Sequence, residues 1–387
     1  MENTDYERIG TTDVYLSETA LVPTLIPDEA KAGHVGVVYF EDVEDIAFDV
    51  VSALKREKIL VYECKIKKSE NEEDDIKQIK SVPEYVRYLI GVGCGKINML
   101  CSYFATINAI DYMMFVTAPS SDRILYSTPA LKEACCPKYV VADRKILDAA
   151  PKTLIAAGWG IALSQPLKAF ERCVARKLST EKSGRTESIA ESFKRELAGN
   201  SLQMTHDTGE LFWFLMRLSD RNRKQNFKGG VDSFCEVMQK SYKLRHRGEY
   251  MFVASYVLWA YYRLFLKSRC EDTLLPPDKM KSMKLLETKC GLEFNLLLKR
   301  IDFLTINGYF RIKYILDEYR KDLIGILDSI DLEKSQRRWR RLYEDAGFWL
   351  KENFTTKELL SIMALCGEIS GGILGYAKAS GALEDYI

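Results

Sequence analysis

The pattern of apolar residues changes character once along this chain, at Pro151, and that change restricts the fold more than any other feature. Before it, short apolar runs alternate with helical periodicity. Val35-Gly36-Val37-Val38-Tyr39-Phe40 is a continuous apolar run, as in strands buried on both faces. A helical pattern follows from Val43 to Glu57, with Ile46, Val50 and Leu54 on one face. Ile59–Tyr62, Tyr88–Val92, Tyr112–Val116 and Tyr139–Ala142 read as further strands. Such alternation implies βαβ units and a mostly parallel sheet. The acidic stretch from Glu70 to Asp75 reads as a solvated loop or helix start. After Pro151 only helical patterns remain: Ile155–Lys177, Glu187–Leu197, Glu210–Leu218, Tyr250–Lys267, Leu292–Leu304, Ile312–Leu327 and Gln336–Glu352. Gly229-Gly230 and Pro276-Pro277 punctuate them as loops. The expectation is an α/β domain with a parallel sheet over residues 1–150 and an all-helical domain over 151–387.

Composition closes off several functions. Lys and Arg total 56 and Asp and Glu 55, which leaves no global electrostatic footprint for nucleic acid or an anionic membrane. The first thirty residues carry acids and no apolar run, and no uncharged apolar stretch reaches membrane-spanning length. The expectation is a cytoplasmic protein that binds a small molecule, not nucleic acid or membrane, with a homo-oligomer left open. Ten cysteines without a CxxC, and three histidines, argue against a zinc ribbon or finger. Free thiols in a reducing compartment are the default.

Gly91-Val92-Gly93-Cys94-Gly95-Lys96 ends a predicted strand and opens a helical pattern. Glycines there permit a tight turn and close approach to a phosphate, and the helix start offers free N–H groups. The run is neither a Walker A loop nor a full GxGxxG, so a merely tight turn stays open. Thr117-Ala118-Pro119-Ser120-Ser121-Asp122 follows the next strand, at the sheet edge where open α/β folds bind ligands; a capped turn is the alternative. Pro137 to Asp143, Ala150-Pro151 and Ala157-Gly158-Trp159-Gly160 complete the set, the last read as a glycine-flanked helix start.

In that order these pieces resemble the sn-glycerol-1-phosphate dehydrogenases of the iron-containing alcohol dehydrogenase and dehydroquinate synthase-like superfamily. The resemblance is carried best from Val35 to Leu163. It implies a nucleotide-binding α/β domain, a helical domain and an active site between them. It places Gly93, Cys94, Gly95, Lys96, Ile97, Thr117, Ser120 and Ser127 against NAD or NADP, and Asp122 against substrate. Where the family has three successive glycines, the middle one here is Cys94, and the Asp and Lys of the next helix read Met99 and Ser102.

The family's metal ligands, one Asp and two His, correspond to Ile161, Leu211 and Arg247, and its lysine after the first of them to Gln165. Leucine and isoleucine have no lone pairs and arginine stays protonated, so the expectation is a chain without the family's metal. A relocated site of His206, Glu210 and His246 is the alternative; the i,i+4 spacing of the first two would put them on one helix face. The resemblance implies an NAD(P)-dependent oxidoreductase acting on a small, phosphorylated alcohol or ketone, with Asp122 the motif-placed acid and Lys96, Arg245 and Arg247 available to hold a phosphate. The rival is a catalytically silent member serving as a nucleotide-binding or protein-interaction module. Arg337-Arg338-Trp339-Arg340-Arg341 reads as a solvated helix face with Trp339 turned inward, and Phe212-Trp213-Phe214 and Trp259 to Tyr262 as core or interface.

Overall fold

The structure, a computed structural model, describes residues 4–69, 72–125, 135–180, 188–198, 205–224, 229–241, 246–268 and 306–342, with scattered positions elsewhere. The expected helix Leu292–Leu304 and the Pro276-Pro277 loop lie outside the described residues. Two compact units form: Met1–Gly158 with Thr205–Asn226, and Trp159–Met204 with Phe227–Ile387.

The strands are β1 (Asp5–Ile9), β2 (Thr12–Leu16), β3 (His34–Phe40), β4 (Leu60–Ile66), β5 (Val86–Gly93), β6 (Asp111–Val116) and β7 (Tyr139–Ala142). The helices are α1 (Asp28–Lys31), α2 (Glu44–Arg56), α3 (Glu72–Ile79), α4 (Gly95–Asn108), α5 (Arg144–Ala149), α6 (Lys152–Thr180), α7 (Ile189–Ala198), α8 (Thr208–Lys224), α9 (Gly230–Ser241), α10 (Arg247–Lys267), α11 (Ile306–Glu318), α12 (Arg320–Ser329), α13 (Leu332–Leu342) and α14 (Gly372–Ala379).

In the first unit the strands lie in the order β1-β2-β7-β6-β5-β3-β4. Every neighbouring pair is parallel except the β1–β2 hairpin. The expected parallel sheet is therefore present. The hairpin was not anticipated, because β1 is mostly polar and exposed. Its signal was the alternation of Thr12, Val14 and Leu16, all buried, just after Gly10 at φ +63°.

The winding places the crevice. From β3 the chain moves outward to β4, then returns to the other side of β3 as β5 and continues to β6 and β7. The direction reverses between β3 and β5, so the connections after them leave on opposite faces of the sheet and a crevice lies outside their carboxyl ends. Right-handed crossovers on either side of the reversal put α2 and α4 on opposite faces of the sheet. Ala47, Val50, Val51 and Leu54 of α2 pack on Val35, Val37, Ile90, Val92 and Phe115. Each fully buried valine, leucine, isoleucine or phenylalanine among them contributes about 1.5–3 kcal/mol relative to exposure.

Among the described residues no strand follows β7. The glycines of the Ala-Gly-Trp-Gly motif do not flank a helix start, as the sequence suggested; they lie inside α6. A methyl on Gly158 would come within 1.8 Å of the Pro119 carbonyl oxygen, and one on Gly160 within 2.2 Å of the Gly248 carbonyl oxygen. Both positions are small because another backbone touches the helix there. The acidic stretch Glu70–Asp75 does hold a helix start, at Glu72, but Asp75 is fully buried rather than solvated. The expected helix Ile312–Leu327 is broken at Tyr319, which caps α12. Trp339 is buried against Phe252, 4.7 Å between ring centroids.

Candidate dinucleotide site

The site grows from the end of β5. Gly93 has φ +143°, a backbone conformation that strains any residue with a Cβ. It turns the chain sharply into Cys94, the N-cap of α4. Asn98 N–H bonds back to the Cys94 carbonyl, and the amides of Gly95, Lys96 and Ile97 precede the helical ladder. Free N–H groups and the positive end of the helix dipole favour an anion there.

The turn after β6 packs directly on this loop. Thr117 N–H donates to the Gly93 carbonyl at 3.4 Å. The Cys94 thiol donates to the Ala118 carbonyl at 3.2 Å and lies 3.8 Å from the Thr117 hydroxyl. A methyl on Gly95 would come within 2.9 Å of the Ser121 hydroxyl. Burial pushes the Cys94 thiol above its ordinary pKa, so it stays protonated and can donate.

Lys96 faces the other way. Its ammonium pairs with buried Asp75, donates to the Ser69 carbonyl at 3.2 Å and sits 5.7 Å from the Phe40 ring centroid. Asp75 also accepts from Ser69 N–H at 3.1 Å. The lysine assigned to the cofactor from its sequence position thus spends its side chain on α3, while its backbone stays at the helix start. Phe40 is the last residue of β3, so this contact brings the two strand ends of the crevice together.

Asp122 is fully buried and accepts from Asn222 Nδ2 at 3.0 Å. Leu125 N–H donates to Ser219 Oγ at 2.8 Å, and Asn98 Nδ2 to the Arg123 carbonyl at 3.0 Å. The stretch 117–125 is clamped from α4 and from α8. Asn98 and Asn222 were missed by sequence reasoning, since isolated polar residues on helices carry no local signal, and Asp75 because it stands in an acidic run that reads as solvated. Ser127 and Arg245 lie outside the described residues.

The positions that the resemblance assigns to a metal divide between the units. Leu211, in the first, is fully buried, with a methyl on Gly158 falling 3.1 Å from its Cδ2. Ile161 and Arg247 belong to the second. Ile161 is fully buried, and its carbonyl accepts from Gln165 Nε2 at 2.9 Å. The Arg247 guanidinium lies 3.7 Å from Asp232, which also pairs with Lys168 at 2.9 Å, and donates toward Cys235 Sγ at 3.5 Å. Two hydrocarbon side chains and an ion-paired guanidinium do not fit a divalent metal ion. The alternative site fares no better: His206 precedes α8 rather than lying on it, and Glu210 accepts from Thr205 at 3.1 Å. Among the described residues no three His, Cys, Asp or Glu side chains converge as metal ligands.

Near this network, Glu171 is buried on α6. It accepts from the Tyr262 hydroxyl at 2.8 Å and from Val231 N–H at 3.3 Å. Burial pushes its carboxyl up to about 7.

No family model matches the chain. Its sequence is 29% identical over 118 residues to a glycerol-1-phosphate dehydrogenase of Saccharolobus islandicus, covering 28% of this chain and 34% of that protein. It is 26% identical over 175 residues to that of Methanococcoides burtonii, covering 43% and 45%. The matches thus span less than half the length of these relatives. An archaeal alcohol dehydrogenase from a Red Sea brine pool superposes over 100% of this chain and 98% of its own, with TM-score 0.52 and 9% identity. An iron-containing alcohol dehydrogenase superposes over 97% and 99%, with TM-score 0.50 and 11% identity.

The chain has the fold of the iron-containing alcohol dehydrogenase and dehydroquinate synthase-like superfamily. Within that fold its sequence resembles the glycerol-1-phosphate dehydrogenases, as its motifs indicate.

Proposed function

We propose that this protein is an NAD(P)-dependent oxidoreductase of the glycerol-1-phosphate dehydrogenase type, interconverting the hydroxyl and ketone of a small phosphorylated substrate. The observation that carries the reading is the Gly93–Ile97 turn, at a helix start on the strand-order reversal, with Thr117 and Ser120 beside it. The backbone amides at the start of α4 hold the pyrophosphate, and the turn after β6 borders the nicotinamide half. A bound nicotinamide supplies or accepts the hydride. Asp122 holds the proton exchanged with the substrate oxygen. The side chains at the metal positions do not support Lewis-acid chemistry, so this scheme uses none. The rival reading, a catalytically silent module, draws only on those replaced positions.

The test is reduction of dihydroxyacetone phosphate, followed by loss of nicotinamide absorbance. Turnover is expected without added metal and falls at least about 100-fold in Asp122→Asn, the usual scale for removing an acid–base group. No turnover with or without Zn²⁺ or Fe²⁺ contradicts the reading.

The crevice also bears on cofactor choice. Glu41 and Asp42 follow β3 directly and are exposed. Carboxylates at such a strand end accept ribose hydroxyls and repel a 2′-phosphate. Lys67 and Lys68 lie one strand further out, after β4. NADH is expected to bind about tenfold more tightly than NADPH, a difference of about 1.4 kcal/mol. A preference for NADPH would assign the reading of the ribose to the two lysines instead.

A further inference from the structure

The dinucleotide reading leaves one residue unexplained. Cys94 stands where the resemblance expects a glycine, in the turn that this reading gives to the pyrophosphate. A side chain there is tolerable only if it points away from the ligand. Its thiol is turned onto the β6 turn: it lies 3.8 Å from the Thr117 hydroxyl and donates to the Ala118 carbonyl at 3.2 Å. That carbonyl also accepts Ser120 N–H at 2.9 Å. Cys94 therefore binds the residue that shapes the turn carrying Thr117 and Ser120. Two further contacts join the same segments, Thr117 N–H to the Gly93 carbonyl and Gly95 against Ser121. On the opposite side, the Lys96–Asp75 pair ties the start of α4 to α3.

We propose that Cys94 is a positioning residue for the dinucleotide. Resting on the reading above, the thiol braces the β6 turn against the phosphate loop before any ligand arrives. In a loop of three glycines, the ligand itself must impose that order and bear its entropic cost. Here a side-chain hydrogen bond across the loop has already met part of it.

The experiment compares the full-length protein with Cys94→Ala and Cys94→Ser. Alanine removes the thiol without adding glycine's backbone freedom, and serine restores a donor of similar reach. NADH affinity is measured by the quenching of intrinsic fluorescence. Amide hydrogen exchange over Thr117–Ser120 is followed without ligand. Cys94→Ala is expected to weaken NADH binding about tenfold and to speed exchange at these amides at least threefold. Cys94→Ser is expected to recover most of both. Unchanged exchange in Cys94→Ala overturns the brace, whatever the ligand. Faster exchange with unchanged NADH affinity overturns the positioning role. If the unaltered protein binds neither NADH nor NADPH, the functional reading falls and the positioning role with it, while the exchange result still reports whether the thiol orders the turn.

Discussion

Replacing Gly158 by alanine is expected to cost about 3 kcal/mol of stability or more, a fall in melting temperature of about 4 °C or more. The added methyl would stand 1.8 Å from the Pro119 carbonyl oxygen, and backbone cannot rotate away as a side chain can. Either α6 lifts or the turn holding Thr117 and Ser120 moves, so the variant is expected to lose dinucleotide affinity along with stability. Gly325→Ala is the control. Gly325 lies in α12 with nothing within 4 Å of an added methyl. There alanine is expected to stabilise by about 0.5–1 kcal/mol, the helix-propensity difference. Thermal unfolding of both variants checks the pair; a Gly158→Ala protein as stable as the parent would mean that the close approach is absent.

The second large effect concerns Glu171. Its carboxyl is pushed from an ordinary 4.5 up to about 7, mainly by burial; the Tyr262 and Val231 hydrogen bonds and nearby Lys168 pull it down, and Asp232 pushes it up. The folded state therefore favours the protonated form. Below about pH 4.5 the group is protonated folded and unfolded, and nothing is lost. As pH rises from about 4.5 to about 7 the unfolded chain ionises while the folded group stays protonated, and the folded state loses on the order of 3 kcal/mol. Glu171→Gln, which keeps the shape and one acceptor, is expected to match the parent at pH 4 and to be more stable at pH 8. The difference between the two in urea unfolding, taken across that range, isolates this group from the other titrating residues. A variant less stable than the parent at pH 8 would show instead that the ionised carboxylate is held by the Tyr262 and Val231 hydrogen bonds together with Lys168.

How much of this was legible follows from the range of the interactions involved. The parallel strands announced themselves because burial on both faces demands uninterrupted apolar runs, as in Val35–Phe40. The glycine turn at 93–95 was legible because φ +143° leaves little choice of residue. What escaped depends on distant partners. Nothing near Tyr319 signals a helix break, yet Arg320 donates to the Leu266 and Ser268 carbonyls at the end of α10, at 3.2 and 2.6 Å, where the chain turns at Tyr319. Asp75 sits in an acidic run and looks solvated until Lys96 and the Ser69 amide are brought to it by the fold. The same holds for Asn222, a hundred residues from the Asp122 that it bonds. Gly158 and Gly160 looked like helix punctuation because their reason is another backbone, Pro119 in one case and Gly248 in the other.

The central claim is that the turn from Gly93 to Ile97 holds a dinucleotide. Calorimetric titration of the purified full-length chain with NADH, repeated for Gly93→Val, tests it most directly. Saturable binding at one site per chain is expected, abolished in a variant whose β-branched side chain cannot adopt φ +143° without strain. Absence of binding heat with both NADH and NADPH, or binding undisturbed in Gly93→Val, would contradict it.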